Sequence, residues 1–264
     1  MSQIPDSALR NLERLDAYLE EHLLQPGDVI RERYEIKAEL GRGGFGAVYQ
    51  ARVLRGLRRG SLVALKVIHA EALARRSGRP VDFFYEFFRK EVDTTSRLQH
   101  PNIVTVLDGG LWRHSDGRRM PFLVMELLRG EPLARRLQRG ALPVAEAVRI
   151  ALEVTQALAY AHGQGVLHLD LSACNLFLTQ SGHTKLLDFG LARAPADEDE
   201  PAGLRLSYAA TPDHLPPEQQ SRAARDPHSD LWALGVVLRQ ALPAEPPALT
   251  LASLPVDLPL PVRR

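Results

Sequence analysis

The chain has 264 residues and a mass of 29.3 kDa, enough to bury a sizeable core in one large domain or two lobes. Its 33 basic and 32 acidic residues leave a formal charge of +1, and 45% hydrophobic with 25% charged residues is ordinary globular composition. Bulk charge therefore gives no argument for nucleic acid or an anionic membrane surface as the partner. The single cysteine, Cys174, excludes an internal disulfide. The opening segment lacks a signal-like apolar run, and no stretch approaches the roughly 18 uncharged apolar residues a membrane span needs. A cytoplasmic location is expected.

In chain order, Asp6 and Ser7 can cap a helix whose Leu9, Leu12, Leu15, Leu19 and Leu23 fall near one face, with Pro26 and Gly27 as its stop. Residues 1–32 are thus read as a helical N-terminal extension. From Tyr34, three apolar segments punctuated by glycine, 34–40, 47–54 and 61–68, predict antiparallel strands. A helix is predicted from Val81 to Leu98, carrying Phe83, Phe84, Phe87 and Phe88. Strands follow at Ile103 to Leu107 and Phe122 to Leu127, around a turn at Ser115, Asp116 and Gly117. Beyond Gly130 the pattern is mainly helical, with Val144 to His162 its longest periodic run. The last 22 residues hold six prolines, each lacking a backbone donor, so an extended tail is expected over 243–264.

The segment Gly41-Arg42-Gly43-Gly44-Phe45-Gly46 fits a glycine pattern in which missing side chains let backbone amides approach phosphate oxygens. Alone it fits a tight hairpin equally well. A dinucleotide fold would need a helix directly after it, whereas Ala47-Val48-Tyr49 continues as strand. In Val63-Ala64-Leu65-Lys66 the alternation turns Ala64 and Lys66 to one face. A lysine beside a glycine-rich loop can neutralise phosphates, and Glu91 on the aromatic-rich helix is its candidate counter-charge. As isolated residues the two would be a surface pair worth under about 1 kcal/mol. The stretch from His168 to Asn175, followed by Asp188-Phe189-Gly190, supplies the decisive chemistry. Asp170 can accept a hydroxyl proton, and Asn175 and Asp188 are hard oxygen donors suited to magnesium.

With these motifs in this order the chain resembles the eukaryotic-type protein kinase family, most closely its bacterial serine/threonine branch, from about Tyr34 to Leu242. Further motifs carry the resemblance: His100-Pro101-Asn102-Ile103-Val104, Val124-Met125-Glu126, Pro216-Pro217-Glu218 and Ser229 to Gly235. The resemblance implies an α+β, two-lobed protein-kinase-like fold. Its antiparallel-sheet N-lobe (33–127) would carry one main helix, and its C-lobe (128–242) would be mainly helical and shortened. It implies ATP and Mg2+ as cofactors and a protein substrate or partner protein; no motif points to nucleic acid, and none speaks to oligomeric state.

By the same resemblance, Gly41, Gly43, Gly44 and Gly46 cover the triphosphate, and Val48 and Ala64 enclose the adenine. Lys66, positioned by Glu91, holds the α- and β-phosphates, while Glu126 to Leu128 form the hinge behind Met125. Asp170 is the catalytic acceptor, Asn175 and Asp188 bind the metal, and Asp230 braces the catalytic loop from below.

Three departures stand out. Leu169 occupies the place of an arginine that in the family receives an activation-segment phosphate, so ordering by phosphorylation at Ser207, Tyr208 or Thr211 is not expected. Ser172 replaces a lysine that touches the transferring phosphate, which predicts slow turnover. Only the proline-rich stretch follows the helix of Asp230, so the partner that Glu218 has in the family is absent from this sequence. The expected function is an ATP- and magnesium-dependent serine/threonine protein kinase of reduced turnover; the alternative is a pseudokinase acting as an ATP-binding or protein-interaction module. Four arginines at 52, 55, 58 and 59 are expected to form a solvated hairpin tip, Asp197 to Glu200 a solvated acidic run, and Cys174 to be buried and inert. His168 is expected to brace the loop from the core rather than shuttle protons.

Overall fold

A computed structural model describes residues 23–43, 46–114, 117–189 and 227–243, without the side chains of residues 75–77, 87, 90 and 91. The expected N-terminal helix up to residue 22, the turn residues Ser115 and Asp116, the segment 190–226 and the tail from residue 244 lie outside the described residues. The chain divides into two compact units, one built on residues up to Arg129 and the other on Gly130–Asp188 together with the helix that starts at Pro227.

The first unit holds a six-stranded antiparallel sheet. Its strands are β1 (Val29–Ile30), β2 (Tyr34–Gly43), β3 (Gly46–Val53), β4 (Leu62–Ile68), β5 (Val106–Arg113) and β6 (Arg119–Glu126), in the order β1-β2-β3-β4-β6-β5. Alternation explains the strands. In β3, Ala47, Tyr49, Ala51 and Val53 are buried, and in β4 so are Val63, Leu65 and Val67; they form one core with Ile30, Tyr34, Ile36, Phe122 and Val124. Leu24 joins this core, and its backbone N–H donates to the Tyr49 hydroxyl (3.2 Å). At the edge of the same core, Asp108 accepts from Arg33 Nη1 (2.9 Å) and from the Tyr34 hydroxyl, fastening the start of β2 to β5. Burial and this bond to Asp108 push the Tyr34 phenol upward in pKa.

Two helices follow β4: α1 (Ala70–Ser77) and α2 (Val81–Thr95). The second is the predicted aromatic helix, with Phe84, Tyr85 and Phe88 buried. The short polar α1 was not anticipated; it is stopped by Gly78, whose φ of +70° places its N–H on the Ala74 carbonyl (2.9 Å). The strand expected over Ile103 to Leu107 starts later, at Val106, and runs on through Gly109 and Gly110 to Arg113. Pro101 and Asn102 instead form a turn, with Ile103 N–H on His100 O (3.1 Å), and pairing with β6 keeps the glycines extended. A Cβ on Gly109 would lie 2.8 Å from Val92 Cγ1, so glycine there lets α2 lie close to the sheet.

The second unit begins with β7 (Gly130–Pro132), which pairs with the hairpin β8 (Leu176–Thr179) and β9 (Thr184–Leu186). Its helices are α3 (Leu133–Leu137), α4 (Val144–Gly163) and α5 (Pro227–Ala241). Helix α4 forms because Ala147, Ile150, Val154, Ala157, Leu158 and Ala161 recur at helical spacing and are all buried. Its Glu153 accepts from Thr184 N–H (2.7 Å), His183 Nδ1 (3.0 Å) and Arg149 (2.9 Å), which fixes the hairpin to the helix. Leu142 N–H donates to Ala241 O (2.7 Å) and ties the end of α5 to the segment before α4. Among the described residues no helix is long and apolar enough to cross a membrane.

A Cβ on Gly46 would sit 1.9 Å from the Val67 carbonyl oxygen, whereas Gly41 and Gly43 have nothing within 4 Å. Chemical denaturation is expected to show Gly46→Ala destabilised by about 3 kcal/mol or more, and Gly41→Ala and Gly43→Ala by under about 1 kcal/mol. Burial pushes the His69 imidazole down to about 4, and its Nε2 has no hydrogen-bond partner. The unfolded imidazole titrates near ~6.5, so between these values the unfolded chain takes up a proton that the folded one refuses. The His69 contribution is full above pH ~6.5 and is lost as pH falls toward about 4, by up to about 3 kcal/mol. A His69→Leu variant is expected to flatten this slope in denaturation measured across pH.

Candidate active site

The candidate nucleotide residues of the first unit share the sheet face opposite its core. Register pairs Gly41 with Val48, Val48 with Lys66, and Lys66 with Leu123, which sets these four positions in one row across four strands. The adjacent row is Gln50, Ala64 and Met125. Val48 and Lys66 are half-buried, while Ala64, Leu123 and Met125 are buried, so the lysine rises from an apolar floor. Glu91 lies on α2, and its side chain is outside the described residues, as is all of Gly44.

The glycines divide by cause. Gly46 is demanded by the fold, through the contact with Val67 just described, and Gly43 opposite it closes the β2–β3 pairing. Gly41 and Gly43 are demanded by nothing in the described structure, and their missing side chains leave open space over the loop. That opening suits a group needing close backbone approach, as a triphosphate does. At the end of β6, Glu126 is engaged with the chain before β5: its N–H donates to Thr105 O (3.0 Å), and its Oε1 accepts from Thr105 N–H (2.8 Å). Its carboxylate is committed to that contact, and the half-buried Leu128 follows two residues on.

In the second unit the loop from His168 to Asn175 is organised by the buried Asp230 at the start of α5. One carboxylate oxygen accepts from Leu169 N–H (2.8 Å), and the other accepts from His168 N–H (2.8 Å) and meets His162 Nε2 (2.8 Å). His168 is fully buried; its Nε2 lies 2.8 Å from Leu187 O, and its Nδ1 accepts from Asp170 N–H (3.2 Å). Those partners require the neutral ring with its proton on Nε2, so His168 braces the loop, as expected from sequence.

Asn175 donates through Nδ2 to the Asp170 backbone oxygen (2.7 Å) and to its carboxylate Oδ2 (3.1 Å), which locks the candidate acceptor to the candidate metal ligand. Both donors being turned to Asp170, the Asn175 Oδ1 is the atom left for a cation. Leu187 N–H donates to Asn175 O (2.9 Å), and Leu176 pairs with Leu186, so Asn175 and Asp188 lie at the same end of the β8–β9 hairpin. Leu169 (φ +62°) and Asp188 (φ +51°) occupy the left-handed region, at about 1 kcal/mol or more each. Cys174, expected to be buried, is exposed: the apolar anchors here are Leu171 and Leu176, which leaves the residue between Ala173 and Asn175 outward.

Among the described residues no group of three or more His, Cys, Asp or Glu side chains is gathered for a metal. One amide oxygen and one carboxylate are nonetheless the hard, sparse donor set that suits magnesium, which keeps waters and substrate phosphates as its other ligands. The residues present fit ATP with magnesium on both counts, the open glycines and the donor chemistry.

Comparison with known proteins agrees with this arrangement. The Protein kinase domain family matches residues 34–252. The "Probable serine/threonine-protein kinase SCO3848" of Streptomyces coelicolor is 35% identical over 216 residues, covering 81% of this chain and 31% of that protein. "Serine/threonine-protein kinase PknB" of Mycobacterium leprae is 36% identical over 219 residues (83% and 33%), and PknB of Mycobacterium tuberculosis is 35% identical over the same length (83% and 33%). The chain belongs to the protein kinase domain family, with the α+β two-lobed fold of that family, and is similar to these bacterial serine/threonine kinases. It spans about a third of the length of these curated relatives.

Sequence reasoning missed His162, the third group on Asp230, and the side-chain role of Glu126. A histidine closing α4 carries no local signal of a partner 68 residues away. Replacing Asp230 by alanine would take the acceptor from one buried and one half-buried backbone donor, those of His168 and Leu169. The expected loss in denaturant unfolding is about 3 kcal/mol, and a stability equal to wild type would show that the brace is dispensable.

Proposed function

We propose that the protein is an ATP- and magnesium-dependent serine/threonine protein kinase that transfers the γ-phosphoryl group to a protein hydroxyl at reduced rate. The observation that carries this reading is the lock between Asp170 and Asn175 (2.7 and 3.1 Å) on a loop held by buried Asp230. The similar bacterial proteins, named as serine/threonine-protein kinases, support it. Bound Mg-ATP supplies the electrophilic phosphorus and the leaving group. Gly41, Gly43, Gly44 and Gly46 offer backbone amides to the phosphates, and Lys66, held by Glu91, neutralises the α- and β-phosphates. Val48 and Ala64 pack the adenine, whose edge is read by the backbone of Glu126 to Leu128. Asn175 and Asp188 hold magnesium. Asp170 orients the substrate hydroxyl and takes its proton at a carboxylate oxygen.

Ser172 stands where a cation would stabilise charge on the transferring group, and a hydroxyl does not replace it; the loss of one such donor is worth on the order of a hundredfold to a thousandfold in turnover. Leu169 offers nothing to an activation-segment phosphate, so activity is independent of phosphorylation at Ser207, Tyr208 and Thr211, all outside the described residues. The same Ser172 favours the second reading, a pseudokinase that binds ATP and acts through its surfaces.

Incubation with γ-labelled ATP, magnesium and generic protein substrates separates the two. Label transfer is expected from the wild type and is lost in Asp170→Asn and Lys66→Met, while Ser172→Lys raises the rate by about a hundredfold. A rise in melting temperature with nucleotide and no transfer in any variant would establish the binding module instead.

A further inference from the structure

The turn joining β3 and β4 is unused by the phosphoryl-transfer reading. Arg52, Arg55, Arg58 and Arg59 fall within eight residues of a chain whose net charge is only +1, so they concentrate charge locally. The turn is built rather than loose. Gly60 N–H donates to Val53 O (2.7 Å), Arg59 N–H to Gly56 O (3.0 Å) and Ser61 N–H to Arg58 O (3.0 Å), while Gly56 (φ +88°) and Gly60 (φ +86°) take the left-handed positions it needs.

The neighbouring β1–β2 turn lies against it, with Leu54 N–H on Arg33 O (2.7 Å) and Arg55 paired with Glu32 (2.8 Å), and it adds the exposed Arg31 and Arg33. Arg33 is paired with Asp108, but Arg31, Arg52, Arg58 and Arg59 make no ion pair among the described residues. Within the β3–β4 turn Leu57 is fully exposed, and Leu62, at the start of β4 opposite Arg52, is 43% exposed.

We propose that this hairpin docks the protein on an anionic lipid surface, with Leu57 entering the headgroup region and the arginines at the level of the phosphates. A lone exposed leucine is ordinary; a fully exposed leucine in a hydrogen-bonded turn that also carries Arg58 and Arg59 without ion pairs among the described residues is not. The full exposure of Leu57 favours lipid over an acidic polypeptide. A protein partner would have to provide a pocket for Leu57, whereas the soft interface accepts one protruding side chain and places anions around it. Each basic residue near an anionic bilayer strengthens binding about fivefold, so the attachment is reversible and salt-sensitive.

The test is co-sedimentation of the full chain with vesicles of phosphatidylcholine alone or with roughly 30% phosphatidylglycerol, at low salt and at about 0.5 M salt, with polyglutamate binding measured in parallel. The wild type is expected to bind the anionic vesicles only, and to release them at high salt. The double variant Arg58→Ala/Arg59→Ala is expected to bind about 25-fold more weakly, and Leu57→Ser several-fold more weakly, both with unchanged melting temperature because these side chains are exposed. Equal binding to neutral and anionic vesicles, or no binding to either, overturns the proposal. So does anionic-vesicle binding indifferent to Leu57→Ser, and such indifference together with tight polyglutamate binding would point to an acidic polypeptide.

Discussion

The carboxylate of Asp230 is the constraint on which the second unit's chemistry depends. Buried at the start of α5, it accepts backbone hydrogens from two consecutive residues, His168 and Leu169, and meets His162 at the end of α4. Consecutive amides point to one acceptor only if the chain turns sharply, and Leu169 takes that turn at φ +62°. A strained residue without glycine's freedom persists only where its surroundings hold it. The next residue is Asp170, so the strain lies directly beside the group proposed to take the substrate proton. His168, locked from both ring nitrogens, carries the constraint to Leu187, one residue before Asp188. One buried charge thus governs both ends of the candidate metal site through backbone bonds, without touching it.

The first unit solves a different problem. The cation proposed to bind phosphate must stand on a surface that is otherwise apolar, and a sheet does this by alternation: Val63, Leu65 and Val67 go to the core while Ala64 and Lys66 go to the opposite face. The register aligns Gly41, Val48 and Lys66 across three strands, so the residues proposed for the phosphates and the adenine are set by a single pattern of pairing. The glycine pattern above them mixes two causes. Gly46 answers to the Val67 carbonyl, while Gly41 and Gly43 answer to space that a ligand can use.

Much of this was legible in the sequence because it rests on local rules. Period-two alternation located β2, β3 and β4, and apolar periodicity located α2 and α4. The residue types of Asp170, Asn175 and Asp188 suggested the candidate donor set. What escaped was decided by partners distant in sequence. Strand β5 runs through two glycines because β6 holds it extended and α2 needs the room; β7 forms only because β8 returns to pair with it. The short polar α1 had too few apolar positions to show a period, and Cys174 was misjudged because its neighbours Leu171 and Leu176, not the cysteine itself, take the buried sites. His162 and Glu126 act through contacts that no spacing rule announces.

The central claim is that Asp230 holds the loop bearing Asp170 in its working geometry, and the amides of His168 and Leu169 report on it directly. In native-state hydrogen exchange both are predicted to be strongly protected in the wild type and to lose about a hundredfold or more of that protection in Asp230→Ala, with amides of β4 unchanged. Equal exchange in the two proteins at those amides would contradict the account.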